Sequence, residues 1–401
     1  MSTPQLDRRE VINWVEQHLA GLFTGPPAGS LSFVGGQSAA DRALESFSVA
    51  GYADRRNEVW PVGRRGASRL SPYIRHGLLQ LGAVWEAVAG GPGRDVAKYR
   101  DELLWQEYAR HLYARLGAAT RRGLRAALAG EVDRDAWSKQ MACIGTNVAE
   151  LEAHGWLVNQ ARMWLASHWA VRAGSDWRQG EDRFFVHLLD GSRAANRAGW
   201  QWTVGTGTGR AYGFSRSQVV KRAPGLCDDC PLNTGCPIED WPADPPLEHS
   251  HGDGRLRSDP DPARTGGPAA PTQTGEPEVV WLTAESLGDA DPAMSARPDL
   301  PAVFVFDEPL LEQLQLSAKR LVFLVEALGD LSRRRPVEIY RGDPVTVLRG
   351  RSVSVTFAPV PGWRRRAAAI EPVEIHPWPW LHRPHAGSIA SFSAWRKQLG
   401  G

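Results

Sequence analysis

The sequence predicts a mostly α-helical domain followed by a small α/β domain with a parallel, Rossmann-like sheet. From Arg8 to about Trp241, apolar residues recur at three- and four-residue spacing and strand signals are scarce. Residues 243–278 are rich in Pro, Gly, Asp and Ser and nearly lack bulky apolar residues, which is typical of a disordered linker. After this linker, short apolar strands alternate with an amphipathic helix. The predicted domains are therefore residues 1–242 and 279–401.

The predicted strands of the second domain are five short apolar segments. A strongly amphipathic segment, Ser317–Arg334, lies between the second strand and the third, and such alternation favours parallel pairing. An antiparallel α+β unit is the alternative. The strands are Val279–Leu282, Pro301–Phe306, Val337–Tyr340, Ser352–Phe357 and Val373–His376.

The balance of charge gives no guide to the protein's partners. Among the 401 residues, 47 Lys and Arg stand against 45 Asp and Glu, a formal net charge of +2, so affinity for nucleic acid must come from local patches. The segment Arg110–Arg125 holds five arginines and no acidic residue, which suits contact with phosphates; a solvated helix face is the alternative. No apolar run approaches the roughly 18 residues that span a bilayer, and residues 1–10 lack an apolar signal core. We expect a monomeric cytoplasmic protein without a membrane partner.

The four cysteines indicate a metal site. They are too few for a disulfide framework in so long a chain, and three of them lie within ten residues. In a reducing compartment such a cluster is better explained by metal ligation. The four are Cys143, Cys227, Cys230 and Cys236.

Several motifs carry residue types that suit a bound dinucleotide or an aromatic substrate. Ser68-Arg69-Leu70-Ser71 offers hydroxyls and the N–H groups of a helix start, which can hold a diphosphate without steric bulk. Glu102 and Trp105 in E-L-L-W share one helix face, as do Asn159, Arg162 and Met163 in G-W-L-V-N-Q-A-R-M. The longest motifs are D-W-R-Q-G-E at 176–181 and L-L-D-G-S-R-A-A-N-R-A-G-W-Q-W at 188–202.

Taken in order from Gly35 to Trp202, these motifs resemble the flavin-binding domain of photolyases and cryptochromes. The length of the 176–202 block and its fixed gaps are hard to reach by chance. One departure is Ser192, which stands where the family has a second Asp, so the tuning of the flavin differs. The resemblance implies FAD as cofactor, held by Tyr52, Ser68, Arg69, Leu70, Ser71, Arg162, Asp190, Ser192 and Asn196.

The resemblance also implies catalytic roles. Asn196 would lie near flavin N5, and Trp200 and Trp177 would be the inner members of a tryptophan relay that reduces the flavin again. No residue matches the third tryptophan of that relay; Trp137, Trp164 and Trp169 are the candidates. The lesion would be met by Glu102, Trp105, Asn159, Met163 and Trp202.

The cysteine pattern resembles the iron–sulfur branch of bacterial photolyases. One distant Cys, then C-x2-C, then a Cys followed by Pro would hold a [4Fe–4S] cluster. A structural Zn site fits the same count, and free thiols are the third possibility.

The second domain resembles the antenna domain of photolyases, which is N-terminal in ordinary members. The matching segments begin at Val280-Trp281-Leu282 and run to Tyr340-Arg341-Gly342-Asp343-Pro344. A circular permutation accounts for the order. The usual Arg-rich start of the first antenna helix is missing, so an antenna chromophore, if bound, is of unknown identity.

Together these features predict a blue-light-dependent deoxyribodipyrimidine photo-lyase, a carbon–carbon lyase that repairs cyclobutane pyrimidine dimers in UV-damaged DNA. Asn159 and Met163 favour this lesion over the (6-4) lesion, because no histidine pair stands at Val158-Asn159. A cryptochrome-like flavin photoreceptor without repair activity is the alternative. A DNA-binding structural protein with a vestigial flavin site is a third hypothesis.

Overall fold

The computed structural model describes residues 1, 7–132 and 135–399. The chain divides into two compact units that are not consecutive in sequence. We call the first the sheet unit; it comprises Met1–Phe47, Arg69–Ala87 and Pro260–Ala386. The second, the helical unit, comprises Ser48–Ser68, Val88–Asp259 and Gly387–Gly401. This division differs from the predicted boundaries, which follow chain order and remain a sequence prediction.

Eighteen α-helices lie in the described residues. In chain order they are α1 Arg8–His18, α2 Gln37–Glu45, α3 Tyr52–Arg55, α4 Ser71–Arg75, α5 Leu81–Ala87, α6 Gly93–Leu116, α7 Ala142–His154, α8 Asn159–Ala166, α9 Trp177–His187, α10 Ala195–Val204, α11 Arg216–Arg222, α12 Pro262–Gly266, α13 Pro292–Ala296, α14 Glu308–Leu314, α15 Ala318–Leu331, α16 Pro344–Leu348, α17 Trp363–Ile370 and α18 Phe392–Arg396. Short 3-10 turns connect several of them, and a π-helix, Ser167–Arg172, directly continues α8. None of these helices is long and apolar enough to cross a membrane.

Ten strands are described, most of them short. They are β1 Phe23–Thr24, β2 Ala126–Ala127, β3 Glu248–His249, β4 Thr272–Gln273, β5 Val279–Leu282, β6 Ala302–Asp307, β7 Leu316–Ser317, β8 Val337–Gly342, β9 Val353–Thr356 and β10 Glu374–His376. Two-stranded pairs form between β1 and β7 and between β2 and β3.

The main sheet has six strands in the order β4-β10-β9-β5-β6-β8. The five predicted strands are all present, and each pairs with its neighbour in parallel. The prediction of a purely parallel sheet is wrong at one edge, because β4 pairs antiparallel with β10. This edge strand has two exposed polar residues, so it carries no apolar pattern from which it could be predicted.

The core of the sheet unit forms because its central strands are apolar on both faces. All residues of β5 and β9 are buried, as expected for parallel strands covered on both sides. The amphipathic segment predicted at Ser317–Arg334 is α15, whose every residue is buried. Two acidic residues on this helix bind the segment 35–38: Glu326 accepts from Gly35 N at 2.8 Å and Asp330 from the Ser38 hydroxyl at 2.6 Å.

The helical unit is organised around α6, the longest helix. Its Asp95 accepts hydrogen bonds from the backbone N–H groups of Gly51 and Ala53 at 2.8 and 2.9 Å, which fixes the start of α3. These two bonds hold the pKa of Asp95 below its ordinary value. Tyr52 of α3 then packs edge-on against Tyr99 of α6, with centroids 4.8 Å apart.

Residues 243–278, predicted as a disordered linker, carry β3, α12 and β4 in the structure. Leu256 is buried, and Asp259 forms a buried ion pair with Arg115 at 3.1 Å. Tertiary contacts of this kind hold a segment whose composition is typical of a flexible chain. The same pair removes Arg115 from the basic face predicted for Arg110–Arg125.

Candidate functional site

Arg162 and Asp190 form a bidentate ion pair in the helical unit. The two guanidinium nitrogens donate to the two carboxylate oxygens at 3.2 and 2.7 Å, and Arg162 Nε donates to the carbonyl of Leu157 at 2.9 Å. Asp190 is almost fully buried, while Arg162 retains partial exposure. The parallel fork geometry fixes the plane of the guanidinium group. The two residues that the motifs place 28 positions apart are thus one rigid element.

Asn196, at the start of α10, is held by Glu181 of α9. Its amide nitrogen donates to the Glu181 carboxylate at 2.9 Å and to the Glu181 carbonyl at 3.1 Å. Because both amide hydrogens are used, the orientation of the side chain is set and its carbonyl oxygen faces away as an acceptor. This acceptor is available to a donor on a bound molecule.

Glu181 is buried among cations. Arg193 Nη1 lies 2.6 Å and Arg197 Nη2 3.1 Å from its Oε2. Burial raises the pKa of Glu181, and the charges of Arg193 and Arg197 act in the opposite direction. The carboxylate is therefore a structural centre that joins α9 to α10.

Ser192 caps the turn before α10. Its hydroxyl accepts from the backbone N–H of Ala195 at 3.0 Å, a local bond typical of Ser at a helix start. The Ser192 hydroxyl thus stabilises the backbone turn, at the position where the resemblance to the family would put a charged Asp.

The remaining predicted flavin ligands belong to both units. Tyr52 is buried in the helical unit, where burial and the charge of Glu102 raise its pKa. Ser68 hydrogen-bonds Tyr99, whose pKa burial raises to about 12. Arg69, Leu70 and Ser71 belong to the sheet unit. There Arg69 lies 4.9 Å from the centroid of the Phe33 ring, Leu70 is buried and Ser71 opens α4.

Glu102 and Trp105 lie on α6 as predicted, and both have partners. Glu102 forms ion pairs with Arg56 at 3.1 Å and with Lys98 at 3.0 Å. The indole of Trp105 stacks on the ring of Phe392 of α18, with centroids 3.9 Å apart and planes inclined by 10°. One face of the predicted stacking platform is therefore covered by the helical unit itself.

Asn159, Met163 and Trp202 retain access to solvent. Asn159 and Met163 contact each other through an amide–thioether contact of 3.6 Å. Trp202 is 39% exposed, and its ring lies 5.9 Å from that of Tyr212. Tyr212 is fixed by Gln160 at 2.9 Å and Gln218 at 2.7 Å.

Trp200 and Trp177 are both buried, and neither indole N–H has a hydrogen-bond partner among the described residues. Trp200 packs edge-on against Phe184 at 5.1 Å. Buried unsatisfied donors are uncommon in folded proteins, so they fit a site that a bound molecule completes.

An aromatic path leads away from Trp200. Phe184 lies 5.5 Å from Trp137, and Trp137 lies 4.9 Å from Trp169. Gly180 lies between Trp200 and Trp169, and a Cβ there would clash with Trp200. Trp164, the remaining candidate, stacks on Phe214 at 5.7 Å instead.

The four cysteines are electrostatic neighbours in the helical unit. Burial, and to a smaller extent the charges of Cys227, Cys236 and Cys230, raise the pKa of the Cys143 thiol to about 12. The described residues contain no group of three or more His, Cys, Asp or Glu side chains arranged to hold a metal ion.

The helical unit therefore contains a site with a fixed amide acceptor, a buried ion pair and buried indoles. These groups suit the binding of a planar cofactor. Residues 99–224 match the family model described as the FAD binding domain of DNA photolyase. This match supports FAD as the cofactor of the helical unit.

Two curated relatives of this chain are both named deoxyribodipyrimidine photo-lyase. The deoxyribodipyrimidine photo-lyase of Thermus thermophilus is 34% identical over 192 residues, which are 45% of this chain and 45% of the relative. That of Agrobacterium fabrum is 30% identical over 188 residues, which are 43% of this chain and 39% of the relative. The chain thus spans less than half the length of these relatives. The matches support a relationship to the photolyase/cryptochrome family over the region that they cover.

Solved structures give similar partial matches. A bacterial class III photolyase from Agrobacterium tumefaciens is 28% identical, with a TM-score of 0.39 and coverage of 42% of this chain and 37% of that one. A cryptochrome from Synechocystis is 21% identical, with a TM-score of 0.44 and coverage of 50% and 46%.

Three contributors to the site had no assigned role from the sequence. Glu181 stands inside a quoted motif, and its only signal was a carboxylate followed by two arginines four residues apart, Arg193 and Arg197. Tyr212 lies in no motif that the sequence offers, and the partner of Phe392, Trp105, is distant in the sequence.

Proposed function

We propose that this chain is a blue-light-dependent flavoenzyme that splits cyclobutane pyrimidine dimers in DNA and acts in the cytoplasm as a monomer. The observation that carries this proposal is the Asn196–Glu181 pair, which fixes the Asn196 amide and leaves its oxygen as an acceptor within the region matching the FAD binding domain of DNA photolyase. Reduced FAD, when bound, supplies the light-driven electron that breaks the dimer.

The protein's own contribution to the cofactor is positioning and electrostatics. Arg162 and Asp190 would hold the flavin with a rigid charged pair, and Asn196 Oδ1 would accept a hydrogen bond from a flavin N–H. Ser192 adds no charge. Tyr52 and Ser68, with Arg69, Leu70 and Ser71, are proposed to hold the remainder of FAD.

Lesion recognition is assigned to polar and aromatic groups on three helices, α6, α8 and α10. Asn159 and Met163 contact each other at the start of α8 and are proposed to meet the dimer together. Trp202, which is 39% exposed, and the free face of Trp105 would stack on it. Glu102, paired with Arg56 and Lys98, would accept from the dimer's N–H groups.

Reduction of the flavin in the light is assigned to buried tryptophans. Trp200 and Trp177 are the inner donors by resemblance. The contacts through Phe184 and Gly180 favour Trp169 and then Trp137 as the outer members. Trp164 packs elsewhere, against Phe214.

The four cysteines are proposed to hold a [4Fe–4S] cluster, with Zn as the alternative. Four thiols are close enough to influence one another, and Arg172 and Arg216 face them with positive charge. The thiolates of a [4Fe–4S] cluster are spread around the whole cluster, whereas four thiolates on one Zn lie about 3.8 Å from one another. Anaerobic purification should give about four iron and four acid-labile sulfide per chain, and Cys143→Ser should lower both. Zinc in their place would transfer the site to the alternative.

Residues 279–401 are proposed to correspond to an antenna-type domain that a circular permutation has moved behind the flavin domain. Its five parallel strands follow the doubly wound order β8-β6-β5-β9-β10. The pigment, if any, is not assigned.

A photoreceptor without repair activity is the second candidate, and one observation favours it. Phe392 covers one face of Trp105, and an occupied platform has less surface for a base. The test of the proposal is illumination of the fully reduced protein with a dimer-containing oligonucleotide. Recovery of pyrimidine absorbance is expected; a protein that binds reduced FAD but restores no absorbance would instead be a photoreceptor.

A further inference from the structure

The sheet unit carries arginines without carboxylate partners at the start of α17. Arg364, Arg365 and Arg366 occupy its first turn, which holds no acidic residue. Among the residues that the structure describes, Arg366 is the one of these three that forms an ion pair, with Asp307. A cation near a helix N-terminus is disfavoured by the helix dipole. Arg364 and Arg365, which have no ion-pair partner among the described residues, therefore lie at the helix end where the dipole disfavours positive charge.

Arg364 and Arg383 converge on one loop, residues 264–268. Arg364 donates to the carbonyl of Arg264, and Arg383 donates to the carbonyls of Gly267 and Pro268, the latter at 2.9 Å. Backbone carbonyls orient a guanidinium group but carry no net charge. Within the described ranges, neither Arg364 nor Arg383 has an acidic partner in an ion pair.

Arg264 and Arg365 add charge without making bonds of their own. In the part of the chain that the structure describes, their side chains form no hydrogen bond or ion pair. Burial lowers the pKa of Arg364, the charge of Arg264 lowers it further, and Asp261 acts in the opposite direction. The positive charges are therefore close enough to repel one another.

The surface is rigid as well as charged. Arg364 lies over the ring of Phe357, 4.8 Å from its centroid. Gly267 has a φ of +76°, and a Cβ there would lie 2.2 Å from the Phe357 ring, so only glycine allows this close approach. Trp380 Nε1 donates to the Gly266 carbonyl at 2.9 Å. The loop that orients the guanidinium groups is thus fixed from three sides.

We propose that Arg264, Arg364, Arg365 and Arg383, here called the arginine surface, bind the phosphodiester backbone of DNA. All four residues are exposed, which fits an extended polyanion better than a small molecule, since small molecules are usually enclosed in concave sites. Planar guanidinium groups suit phosphate oxygens. The inference rests on the proposed function only in taking DNA as the polyanion.

The test uses the two arginines whose side chains make no bond, so that charge is removed without loosening the loop. Binding of fluorescein-labelled undamaged duplex DNA to the full chain is measured in the dark over a salt series. Each lost phosphate contact lowers the slope of log K against log salt by about 0.9 and weakens binding about fivefold near 0.15 M salt. Arg264→Gln/Arg365→Gln should therefore lose roughly 1.8 in slope and about 25-fold in affinity.

The matched control is Arg333→Gln/Arg349→Gln, which removes the same charge from exposed positions of the same unit. It should keep the wild-type slope. An equal loss of DNA affinity in both variants, or no loss in either, would overturn the proposal. A variant that binds DNA normally but no longer binds a small phosphorylated molecule would also overturn it. Failure of wild-type repair with DNA binding intact rejects the proposed function and leaves this inference standing.

Discussion

Trp105 and Phe392 stack almost parallel, at 3.9 Å and 10°, although they belong to the longest helix and to the last one. The contact leaves one indole face available to a base. Since stacking on an aromatic side chain is worth about 1–3 kcal/mol per base, Trp105→Ala should weaken binding of dimer-containing DNA about ten- to hundredfold. The flavin spectrum should be unchanged.

Phe392→Leu is the matched control for Trp105, because it keeps apolar volume and leaves the other indole face in place. Affinity for dimer-containing DNA should stay within about threefold of wild type, a change below ~1 kcal/mol. A marked gain in affinity would mean that Phe392 competes with the lesion for the stacked face, contrary to the assignment.

Glu181 should contribute far more to stability than its neighbour in sequence. Glu181 and Asp182 both lie 2.6 Å from Arg193, but their side chains are 2% and 37% exposed. Glu181→Gln leaves Arg193 and Arg197 without a buried counter-charge and should lower the free energy of unfolding by about 3–5 kcal/mol. Asp182→Asn should cost less than ~1 kcal/mol in the same urea titration. Similar losses in both variants would refute the central position given to Glu181.

The outer relay can be tested by comparing two tryptophans. Trp137→Phe should slow light-driven FAD reduction, because Trp137 lies on the contact path from Trp200 through Phe184. Trp164→Phe should reduce FAD at the wild-type rate, since Trp164 stacks on Phe214. The reverse ranking, measured by flavin absorbance under blue light with bound FAD unchanged, would redirect the path to Trp164.

Stability of the sheet unit should depend on pH through Glu326. Burial raises its pKa to about 7, so the folded state keeps a proton that the unfolded chain releases near its ordinary pKa. Between these two values the folded state binds more protons, and stability falls as pH rises from about 4.5 to about 7. Glu326→Gln should remove this fall and be roughly 2–3 kcal/mol more stable at pH 8 than wild type. Glu312→Gln, an exposed control, should follow the wild-type curve in thermal unfolding.

Local spacing predicted the five parallel strands and the helix α15, and long-range contacts could not be predicted. Parallel strands and the buried helix α15 were predicted because apolar periodicity is a local property. The ion pair between Asp259 and Arg115 could not be predicted from local spacing, because tertiary packing brings together two residues that are distant in the sequence. The same holds for Phe392 on Trp105. Composition alone also gave residues 243–278 as disordered, since it does not register which few side chains are buried.

The last helix has a consequence for synthesis on the ribosome. Trp395 is fully buried in the helical unit and donates to His111 at 2.9 Å, so a unit begun at Ser48 needs a segment made hundreds of residues later. Domains usually fold as units as the chain emerges. Here the helices made first cannot complete their packing until residue 395 has been synthesised. Until then the apolar face around Tyr108 is uncovered. Chaperone binding to the nascent chain is expected to end only at that point.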